Sequence, residues 1–337
     1  MERDTPLVGQ SLAFLDSVER VSRAAGLNRP VLVIGERGTG KELVAERLHR
    51  LSGRWAGPFV AMNCAALTES LIEAELFGHE AGAFTGATRA RVGRFEEADG
   101  GTLFLDELGT LSAGAQERLL RAVEYGEVTR IGANRPTKVD VRIVAATNEH
   151  LPALVDKGRF RADLLDRLSF EVITLPPLRV REGDVAQLAD FFGRRMAAEL
   201  GWDAWPGFSA AAMQALEAYP WPGNIRELRN TTERAVYRWD RPALPVAEIV
   251  FDPFASPWRP HGPAMAPTPS EAAERPAAAA PAPPVRFRDA VHAYERELLE
   301  AALQRHRHNQ RATAAALGLT YDQLRHCLKK HGLLEAA

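Results

Sequence analysis

The sequence is poor in cysteine: it has only two, Cys64 and Cys327, far apart and in unlike contexts. This excludes a disulfide framework and a cysteine metal-binding motif, and it suits a reducing compartment. No stretch approaches the roughly 18 apolar residues of a membrane span, and the charged N-terminus, MERDTPLVGQ, lacks the apolar core of a signal peptide. We therefore expect a cytoplasmic protein that is not inserted in a membrane.

The sequence also lacks an excess of positive charge. Its formal net charge is −2, so any nucleic-acid-binding site must be a local basic patch. The 337 residues are 46% hydrophobic and 26% charged, which is ordinary for a globular protein. This length predicts two or three domains with an ample buried core.

Short runs rich in Val, Ile, Leu and Phe predict strands in the first half of the chain. They are Val31–Gly35, Phe59–Asn63, Thr102–Asp106, Val141–Ala146 and Phe170–Leu175. Helical stretches separate them, which predicts an α/β fold with a parallel sheet covered on both faces.

Changes of pattern predict four segments. They are an α/β subdomain (residues 1–175), a helical subdomain (176–250), a Pro/Ala-rich linker (251–285) and a second helical domain (286–337). Pro253 to Pro284 holds ten of the 22 prolines and has no periodicity, which is typical of a semi-extended linker. In WPGNIREL we expect Asn224 to be the N-cap of a helix, with Glu227 completing a capping box.

A glycine-rich stretch, GERGTGKE, follows the first predicted strand and opens a helix. Its spacing is that of a P-loop, in which backbone N–H groups surround the phosphates and Lys41 reaches the terminal ones. Glu42 departs from the pattern, which has Ser or Thr there for magnesium, and an ordinary Gly-rich turn is the alternative. The predicted ATP-binding residues here are Gly35, Glu36, Gly38, Thr39, Gly40, Lys41 and Glu42.

A second motif, GGTLFLDE, is an apolar strand that ends in two carboxylates. Asp106 is predicted to hold the water shell of Mg²⁺, and Glu107 to polarise the water that attacks ATP. Taken alone, the Asp-Glu pair is also compatible with a solvated turn. Together with the P-loop, it favours a hydrolytic ATPase.

The small apolar hexapeptide GAFTGA, preceded by ELFGHEA, lies between these two motifs. With all three motifs the chain resembles AAA+ ATPases, and GAFTGA narrows the resemblance to the sigma-54-dependent transcriptional activators, the bacterial enhancer-binding proteins. In that family the hexapeptide is the tip of a loop that contacts sigma-54 and moves with the nucleotide state. Without the family, packing of Phe84 in the core would be the favoured interpretation. The implied contact residues are Gly82, Ala83, Phe84, Thr85, Gly86 and Ala87.

The resemblance covers nearly the whole chain and implies further roles. The fold would be an AAA+ P-loop parallel sheet with a helical lid, then a linker and an all-α Fis-type helix-turn-helix domain. Asn63 resembles the switch residue that pairs with Glu107. Asn148, in AATN, resembles the sensor of the terminal phosphate, and Arg226, in GNIREL, resembles the second sensor.

Two arginines in FRADLLDRL, Arg161 and Arg167, resemble the arginine fingers of the family. They would act on the nucleotide of the neighbouring subunit, which requires a head-to-tail ring, a hexamer in this family. Each could instead be a surface residue in an ordinary ion pair.

Few residues precede LVGQS, so no sensory domain is expected and control would come from a separate protein. In this respect the chain is similar to the activators of phage shock (membrane stress) operons. That similarity implies an inhibitory phage shock protein A, with Trp55 as its candidate contact, although core packing is the alternative for this ring. RIGANRPTK (Arg130–Lys138) predicts a hairpin, where the family has a second pore-side loop and where an ordinary exposed hairpin is the alternative.

The C-terminal stretch NQRATAAALGLTYDQLRHCLKKHGL predicts helix, turn and helix, with Thr320 as an N-cap. Residues 301–334 carry six Lys/Arg and one acid, a local charge of +5. The preceding helix, HAYERELLEAALQRH, could dimerise the module. Lys329 and Lys330 are expected on phosphates, or else merely cap the helix. The predicted DNA-binding residues are Thr320, Tyr321, Gln323, Arg325, His326, Lys329 and Lys330.

These observations predict a DNA-bound ATPase that activates the sigma-54 RNA polymerase holoenzyme. ATP hydrolysis, with Mg²⁺, would drive the GAFTGA loop against sigma-54 so that the promoter opens. The alternatives are another AAA+ machine associated with DNA, which would not need GAFTGA, and a DNA-binding regulator that does not hydrolyse ATP.

Overall fold

The computed structural model describes residues 6–66, 68–84, 87–254, 258, 287–306 and 309–333. The chain divides into two compact units, Met1–Ala255 and Ser256–Ala337. Most of the predicted linker, residues 251–285, lies outside the described residues. None of the described helices is long and apolar enough to cross a membrane.

The first unit is built on a five-stranded parallel sheet with the strand order β2-β3-β6-β1-β7. A separate antiparallel pair, β4-β5, forms a small hairpin. The strands are β1 (Val31–Ile34), β2 (Phe59–Asn63), β3 (Thr102–Asp106), β4 (Glu127–Val128), β5 (Thr137–Lys138), β6 (Arg142–Thr147) and β7 (Glu171–Thr174). The five predicted strands are confirmed, with bounds that differ by at most two residues.

Helices cover both faces of this sheet and continue into a helical subdomain. The helices of the first unit are α1 (Leu12–Ala25), α2 (Lys41–Arg50), α3 (Glu69–Phe77), α4 (Arg94–Glu97), α5 (Ala113–Tyr125), α6 (Leu151–Asp156), α7 (Ala162–Leu168), α8 (Asp184–Glu199), α9 (Ala210–Ala218) and α10 (Asn224–Arg238).

The central strands supply side chains to two cores because successive residues of a strand point to opposite faces. Leu103 and Leu105 pack against α3–α7, whereas Phe104 packs against α1 and α2. The β6 residue Arg142 is buried and donates to the carbonyl oxygens of Ala24, Ala25 and Leu48, near the ends of α1 and α2. Burial lowers the pKa of this guanidinium. The sheet is therefore covered on both faces, as predicted.

The helical subdomain, α8–α10, has its own core around the fully buried Trp221, whose indole N–H donates to the Leu216 carbonyl at 2.8 Å. Its α10 helix does not begin as predicted. Gly223 is the N-cap, and Asn224 is the first helical residue with a φ of 53°. The Glu227 carboxylate does accept from the Gly223 N–H at 2.8 Å. The capping role of Asn224 was therefore predicted wrongly, because its amide is engaged with other segments.

A buried ion pair fixes the N-terminal segment to the start of α8. Arg181 donates to Asp184 at 2.7 Å, and the two side chains are 1% and 0% exposed. The same carboxylate accepts from Gln10 N–H (2.7 Å), Ser11 N–H (3.0 Å) and the Ser11 hydroxyl (2.8 Å). Burial opposes ionisation of Asp184, but these donors outweigh it and lower its pKa. The LVGQS segment is thus attached to the helical subdomain.

The second unit consists, within its described residues, of α11 (Phe287–Arg305), α12 (Gln310–Ala316) and α13 (Tyr321–Lys330). Its core is small and consists of Leu299, Leu303, Ala314, Leu324 and Leu328. Gly318 has a φ of 66° in the turn between α12 and α13, a conformation that favours glycine. Thr320 caps α13 through a reciprocal capping box with Gln323. The predicted helix, turn and helix are confirmed.

Candidate nucleotide site and output loop

The stretch GERGTGKE forms a tight loop between β1 and α2. Gly38 and Gly40 have φ angles of 77° and 94°, which other residues rarely adopt. Lys41 is the first residue of α2, is 8% exposed, and donates from Nζ to the carbonyl oxygens of Gly35 (3.0 Å) and Glu36 (3.3 Å). The loop therefore curls around the lysine, with the helix N-terminus beside it.

The charge of Lys41 is balanced by two carboxylates. Burial lowers the pKa of this lysine, and the nearby Asp106 and Glu107 act in the opposite direction. A partly desolvated cation between an anion-favouring helix N-terminus and two carboxylates suits a phosphate chain that arrives with a divalent cation.

The two carboxylates lie where β3 ends. Asp106 is in register with Asn63 of β2, so both lie at the same edge of the sheet. Glu107 follows with a φ of 53° and a ψ of 45°, and its N–H donates to the Asp106 carboxylate at 3.0 Å. A left-handed conformation costs a residue other than glycine roughly 1–3 kcal/mol and is concentrated at functional sites. This turn therefore fixes two neighbouring carboxylates in different directions.

Glu107 is held by residues from two other loops. In the amide orientation that satisfies its neighbours, Asn148 donates to Glu107 Oε2 at 2.7 Å and accepts from Arg37 Nε at 3.2 Å. Arg37 also approaches Glu107 Oε1 at 3.9 Å. Asn63 instead accepts from the Ala65 N–H at 2.8 Å. The pairing of Asn63 with Glu107 stays a prediction, whereas Asn148 is already at the site.

The N-terminus of α10 rests directly on the P-loop. A Cβ on Gly38 would collide with the Gly223 carbonyl oxygen, and the Ile225 N–H donates to the Gly38 carbonyl at 3.0 Å. Asn224 accepts from the Leu178 N–H at 2.8 Å, and its Nδ2 donates to Glu36 Oε2 and the Arg37 carbonyl, both at 3.0 Å. Arg226 is thereby placed on the turn of α10 that touches the loop.

A second link between the P-loop and the helical subdomain is the pair Arg179–Glu36. The guanidinium donates to both carboxylate oxygens, at 2.8 and 2.6 Å. The hydrogen bond from Arg179, then that from Asn224, lowers the pKa of Glu36 to about 2. Sequence reasoning singled out neither Arg179 nor Arg37. The signal for Arg37 was its place inside GERGTGKE, but nothing local marks Arg179.

These residues fit ATP and Mg²⁺. The glycine conformations and the first turn of α2 supply backbone N–H donors, Lys41 supplies a cation, and Asp106 supplies a carboxylate of the kind that Mg²⁺ prefers. Thr39 donates its hydroxyl to the Glu36 carbonyl at 2.8 Å and supports the loop. Glu42 points into solvent at the position where the general P-loop pattern has a hydroxyl for magnesium.

Arg161 and Arg167 lie at the two ends of the short helix α7 and are largely exposed. Arg161 pairs with Asp163 at 2.6 Å, and Arg167 pairs with Glu124 at 2.7 Å. Within this chain they therefore make ordinary surface ion pairs, and action on a neighbouring subunit stays a prediction.

The segment GAFTGA follows α3 and forms a narrow turn. Gly82, with a φ of 80°, donates its N–H to the Ala87 carbonyl at 2.7 Å, and the Ala87 N–H donates to the Phe84 carbonyl at 3.0 Å. The Phe84 ring is 41% exposed, and its centroid lies 5.0 Å from that of His79. The ring therefore does not fill the core. Thr85 and Gly86 lie outside the described residues.

The β4-β5 hairpin, predicted over residues 130–138, supports the base of this turn. Glu80 N–H donates to the Ile131 carbonyl, and Ile131 N–H donates to the Gly78 carbonyl, both at 2.9 Å. Arg130 pairs with Glu80 at 3.1 Å and with Glu96 at 2.7 Å, and these bonds raise its pKa. The base of the GAFTGA turn and the hairpin are therefore joined by hydrogen bonds and an ion pair.

A short stretch of chain links the nucleotide edge of the sheet to the loop. It runs from Asn63 through Cys64, whose N–H donates to the Asp106 carbonyl at 2.9 Å, into α3 and then to GAFTGA. Burial raises the pKa of the Cys64 thiol to about 12, so it stays protonated and packs as a small apolar side chain. Glu75 on α3 binds Arg91 (2.6 Å) and Arg94 (3.0 Å) beyond the loop.

Trp55 lies in a loop of the first unit and is 69% exposed. Its neighbour Arg54 is fixed by hydrogen bonds to Asn28 (3.0 Å) and to Asp140 (2.6 Å). The alternative of core packing is therefore wrong, and the ring stands on a defined surface.

In the second unit α13 presents an exposed face that contains Arg325, His326 and Lys329. Two other predicted residues are partly engaged: the Gln323 amide oxygen accepts from the Thr320 N–H at 2.9 Å, and the Tyr321 hydroxyl donates to Gln310 at 3.3 Å. Lys330 binds the Glu295 carboxylate at 2.8 Å. The exposed face of α13 therefore ends at the Thr320 cap on one side and at the Lys330–Glu295 ion pair on the other.

Comparison with known protein families assigns three parts of the chain. The sigma-54 interaction domain matches residues 7–174, the AAA+ ATPase lid domain matches 179–252, and the Fis family of bacterial regulatory proteins matches 291–331. The chain therefore belongs to the sigma-54-dependent transcriptional activators, AAA+ proteins with a lid and a Fis-type helix-turn-helix domain.

Individual relatives agree with this assignment. The Psp operon transcriptional activator of Escherichia coli (strain K12) is 52% identical over 96% of this chain and 97% of its own length. The anaerobic nitric oxide reductase transcription regulator NorR of Klebsiella pneumoniae (strain 342) is 44% identical. The match covers 97% of this chain but only 62% of NorR. NtrX from Brucella abortus, solved in complex with ATP, is 34% identical with a TM-score of 0.68, covering 97% of this chain and 70% of NtrX.

Proposed function

We propose that this chain is a DNA-bound ATPase that opens promoters held by the sigma-54 RNA polymerase holoenzyme, with phage shock genes as its targets. In this proposal residues 1–175 hydrolyse ATP, 176–250 form the lid, 251–285 link the units, and 286–337 bind upstream DNA. Family membership, the 52% identity to the Psp operon activator and the observed site support it. Arg161 and Arg167 would act on the nucleotide of the neighbouring subunit, which requires a head-to-tail ring. A hexamer is the expected form of this ring.

The observation that carries the proposal is the direct route from the nucleotide edge to the GAFTGA turn. Asn63 is in register with Asp106, and the chain then passes through α3 to the turn. A change in the contacts of Asn63 or Glu107 would therefore shift the start of α3, and the bonds to the β4-β5 hairpin would transmit this shift to the loop. Small local changes become larger motions where the contacts that join two sites have two discrete arrangements, and we propose that these contacts do.

The residues divide the chemical work as follows. Lys41 and the P-loop N–H groups bind the phosphates, and Asp106 would hold Mg²⁺, which would supply positive charge next to the phosphoryl oxygens. Glu107 orients and polarises the attacking water, and Asn148 fixes the direction of its carboxylate. Arg226, on the lid, contacts the nucleotide and couples the lid position to the nucleotide state. Arg161 and Arg167 leave their surface ion pairs and enter the nucleotide site of the neighbouring subunit.

The test is a comparison of Thr85→Ala and Thr85→Ser with the unchanged protein. Both variants should hydrolyse ATP at the normal rate, because residue 85 is not one of the predicted nucleotide-binding residues. Only the serine variant, which keeps the hydroxyl, should open a sigma-54 promoter, as measured by permanganate reactivity of the melted strand.

Other outcomes decide between the alternatives. If the unchanged protein hydrolyses ATP but opens no sigma-54 promoter, it is another AAA+ machine. If it opens the promoter without turnover, it is a DNA-binding regulator of a different kind. Equal promoter opening by both variants would show that the Thr85 hydroxyl is not needed for promoter opening.

We also propose Trp55 as the contact for an inhibitory phage shock protein A. The exposed ring on a surface fixed by Arg54 supports this. Trp55→Ala should keep full ATP turnover and lose inhibition by the added regulator, whereas Tyr237→Ala, which removes a similarly exposed ring elsewhere in the first unit, should remain inhibited. Unchanged inhibition of the Trp55 variant would refute this contact.

A further inference from the structure

Two histidines and a glutamate converge in the second unit, at the C-terminal end of α13. His292 and Glu295 lie three residues apart on α11 and therefore share a helix face. His331 is the C-cap residue of α13. One ligand atom from each of the three lies within 4.8 Å of the others. The proposed function uses none of these side chains.

The geometry of the three residues is close to that of a metal centre. His331 Nε2 lies 2.9 Å from Glu295 Oε2, and the His331 side chain is only 4% exposed. The His292 and His331 rings are 4.9 Å apart between centroids. Two imidazoles, one carboxylate and a fourth water position form a known ligand set for Zn²⁺, with bonds of about 2.0–2.2 Å. A small turn of the exposed His292 side chain would close the set.

The Glu295 carboxylate already binds one cation, Lys330. Lys330 Nζ lies 2.8 Å from the same Oε2 atom that faces His331. A metal ion at this oxygen would therefore compete directly with the lysine.

We propose that His292, Glu295 and His331 form a Zn²⁺ site that fastens the end of α13 to α11. Binding of Zn²⁺ takes Glu295 away from Lys330 and repels the lysine, which is then free to reach a DNA phosphate. This second step, but not the metal site, rests on the proposed DNA-binding function. Zn²⁺ would thus strengthen the module's contact with DNA while it stiffens its small core.

The site is tested by isothermal titration of the tag-free full chain with Zn²⁺ alone, and by the visible absorption of Co²⁺ bound in its place. We expect one site per chain. His292→Ala and Glu295→Gln should each weaken binding at least about tenfold, since even outer-shell partners contribute roughly 10- to 100-fold to metal affinity. Both changes are at the partly or fully exposed positions of the cluster, so the fold should survive, which thermal unfolding without metal will verify.

Two controls distinguish this site from adventitious binding. His306→Ala removes a histidine of the same unit outside the cluster, and Cys327→Ser removes its only cysteine. Both should bind Zn²⁺ like the unchanged protein. Unchanged affinity in both His292→Ala and Glu295→Gln, or no binding by the unchanged chain, would overturn the proposal.

The consequence for DNA is measured separately by fluorescence anisotropy. Zn²⁺ should raise the affinity of the unchanged chain for duplex DNA several-fold and steepen its salt dependence by about one phosphate contact. Lys330→Gln should bind Zn²⁺ but lose this gain. Equal DNA affinity with and without bound Zn²⁺ would refute the release of Lys330. Absence of DNA binding in both states would refute the DNA-binding function and leave the metal site standing.

Discussion

The two units hold their predicted functional side chains in opposite ways. In the first unit Lys41 is 8% exposed and is bound by carbonyl oxygens of its own loop, and Glu107 occupies a left-handed conformation with contacts to Asn148 and Arg37. In the second unit Arg325 and Lys329 stand in solvent on a helix supported by a small core. Chemistry on a phosphate needs groups that are fixed and partly desolvated beforehand. Contact with DNA needs charged groups that can reach an outside surface.

The comparison predicts that single substitutions at the site of the first unit abolish ATP turnover. Single substitutions on the exposed face of α13 should only reduce the affinity for DNA by degrees. The largest expected effect is that of Glu107→Gln. It should lower ATP turnover by about 10²–10⁴, the usual contribution of a catalytic base, while nucleotide binding changes little. Phosphate release and titration with a fluorescent nucleotide measure the two quantities.

The matched control is Glu217→Gln, which neutralises an exposed carboxylate on α9. It should leave turnover unchanged. If Glu107→Gln retained even half of the normal rate, the strained turn after β3 would not hold the catalytic base, and the contrast between the units would fail at its strongest point.

The next largest effect concerns stability. Arg181→Ala should lower the free energy of unfolding of the first unit by about 3–5 kcal/mol, because Asp184 would remain buried without its partner. Arg194→Ala breaks an exposed pair with Asp190 on the same helix and should cost less than about 1 kcal/mol. Denaturant titration followed by circular dichroism compares them, and equal losses would show that burial of the first pair is not what matters.

A smaller, graded effect is expected in the second unit. Arg325→Ala should weaken binding to a DNA site selected by the unchanged protein by about 1–3 kcal/mol and relax its sequence preference. Lys329→Ala should weaken binding to all sequences and reduce the salt slope by about one. Anisotropy titrations at several salt concentrations separate the two, and identical behaviour of both variants would contradict a division into base and phosphate contacts.

The smallest effect tests an exposed charge in the first unit. The pKa of Glu36 is about 2 in the folded chain against an ordinary 4.5. Its pair with Arg179 therefore adds stability above about pH 4.5, and this contribution disappears as the pH falls toward 2. Since the side chains are 42% and 47% exposed, the contribution should stay below about 1 kcal/mol.

The measurement is the free energy of unfolding of the unchanged protein minus that of Glu36→Gln, followed from pH 7 down to pH 3. The difference should shrink with falling pH. A difference that grows on acidification would have the wrong sign for a depressed carboxyl pKa, and a constant one would mean that Glu36 acts through packing alone.

The sequence was sufficient where a signal is local. The strands are continuous apolar runs, and the N-cap at Thr320 was predicted from its place before the last helix. Asn224 looked like the same kind of signal and was predicted wrongly, because its partners are Leu178, Glu36 and Arg37. Such long-range contacts have no pattern in one sequence.

The same limit explains the rest of the site. The motifs singled out Lys41, Asp106 and Glu107 through spacing and a strand end, and the structure places these three residues near one another. They could not identify Arg179, whose role depends on how the lid folds back onto the P-loop. Residues that act within one loop are therefore predictable here, and residues that join two subdomains are not.

Asn224 makes its bonds to Leu178, Glu36 and Arg37 with a single small amide. A swing of the lid away from the P-loop would break the bonds to Glu36 and Arg37 together and leave the amide nitrogen without partners in a buried place, which is costly, whereas the bond to Leu178 lies within the lid and would remain. The lid should therefore have two resting angles and few positions between them. In the proposed ring the lid of each subunit would then be either closed on the P-loop or open. Each nucleotide that binds or leaves would switch one lid completely, with no intermediate position.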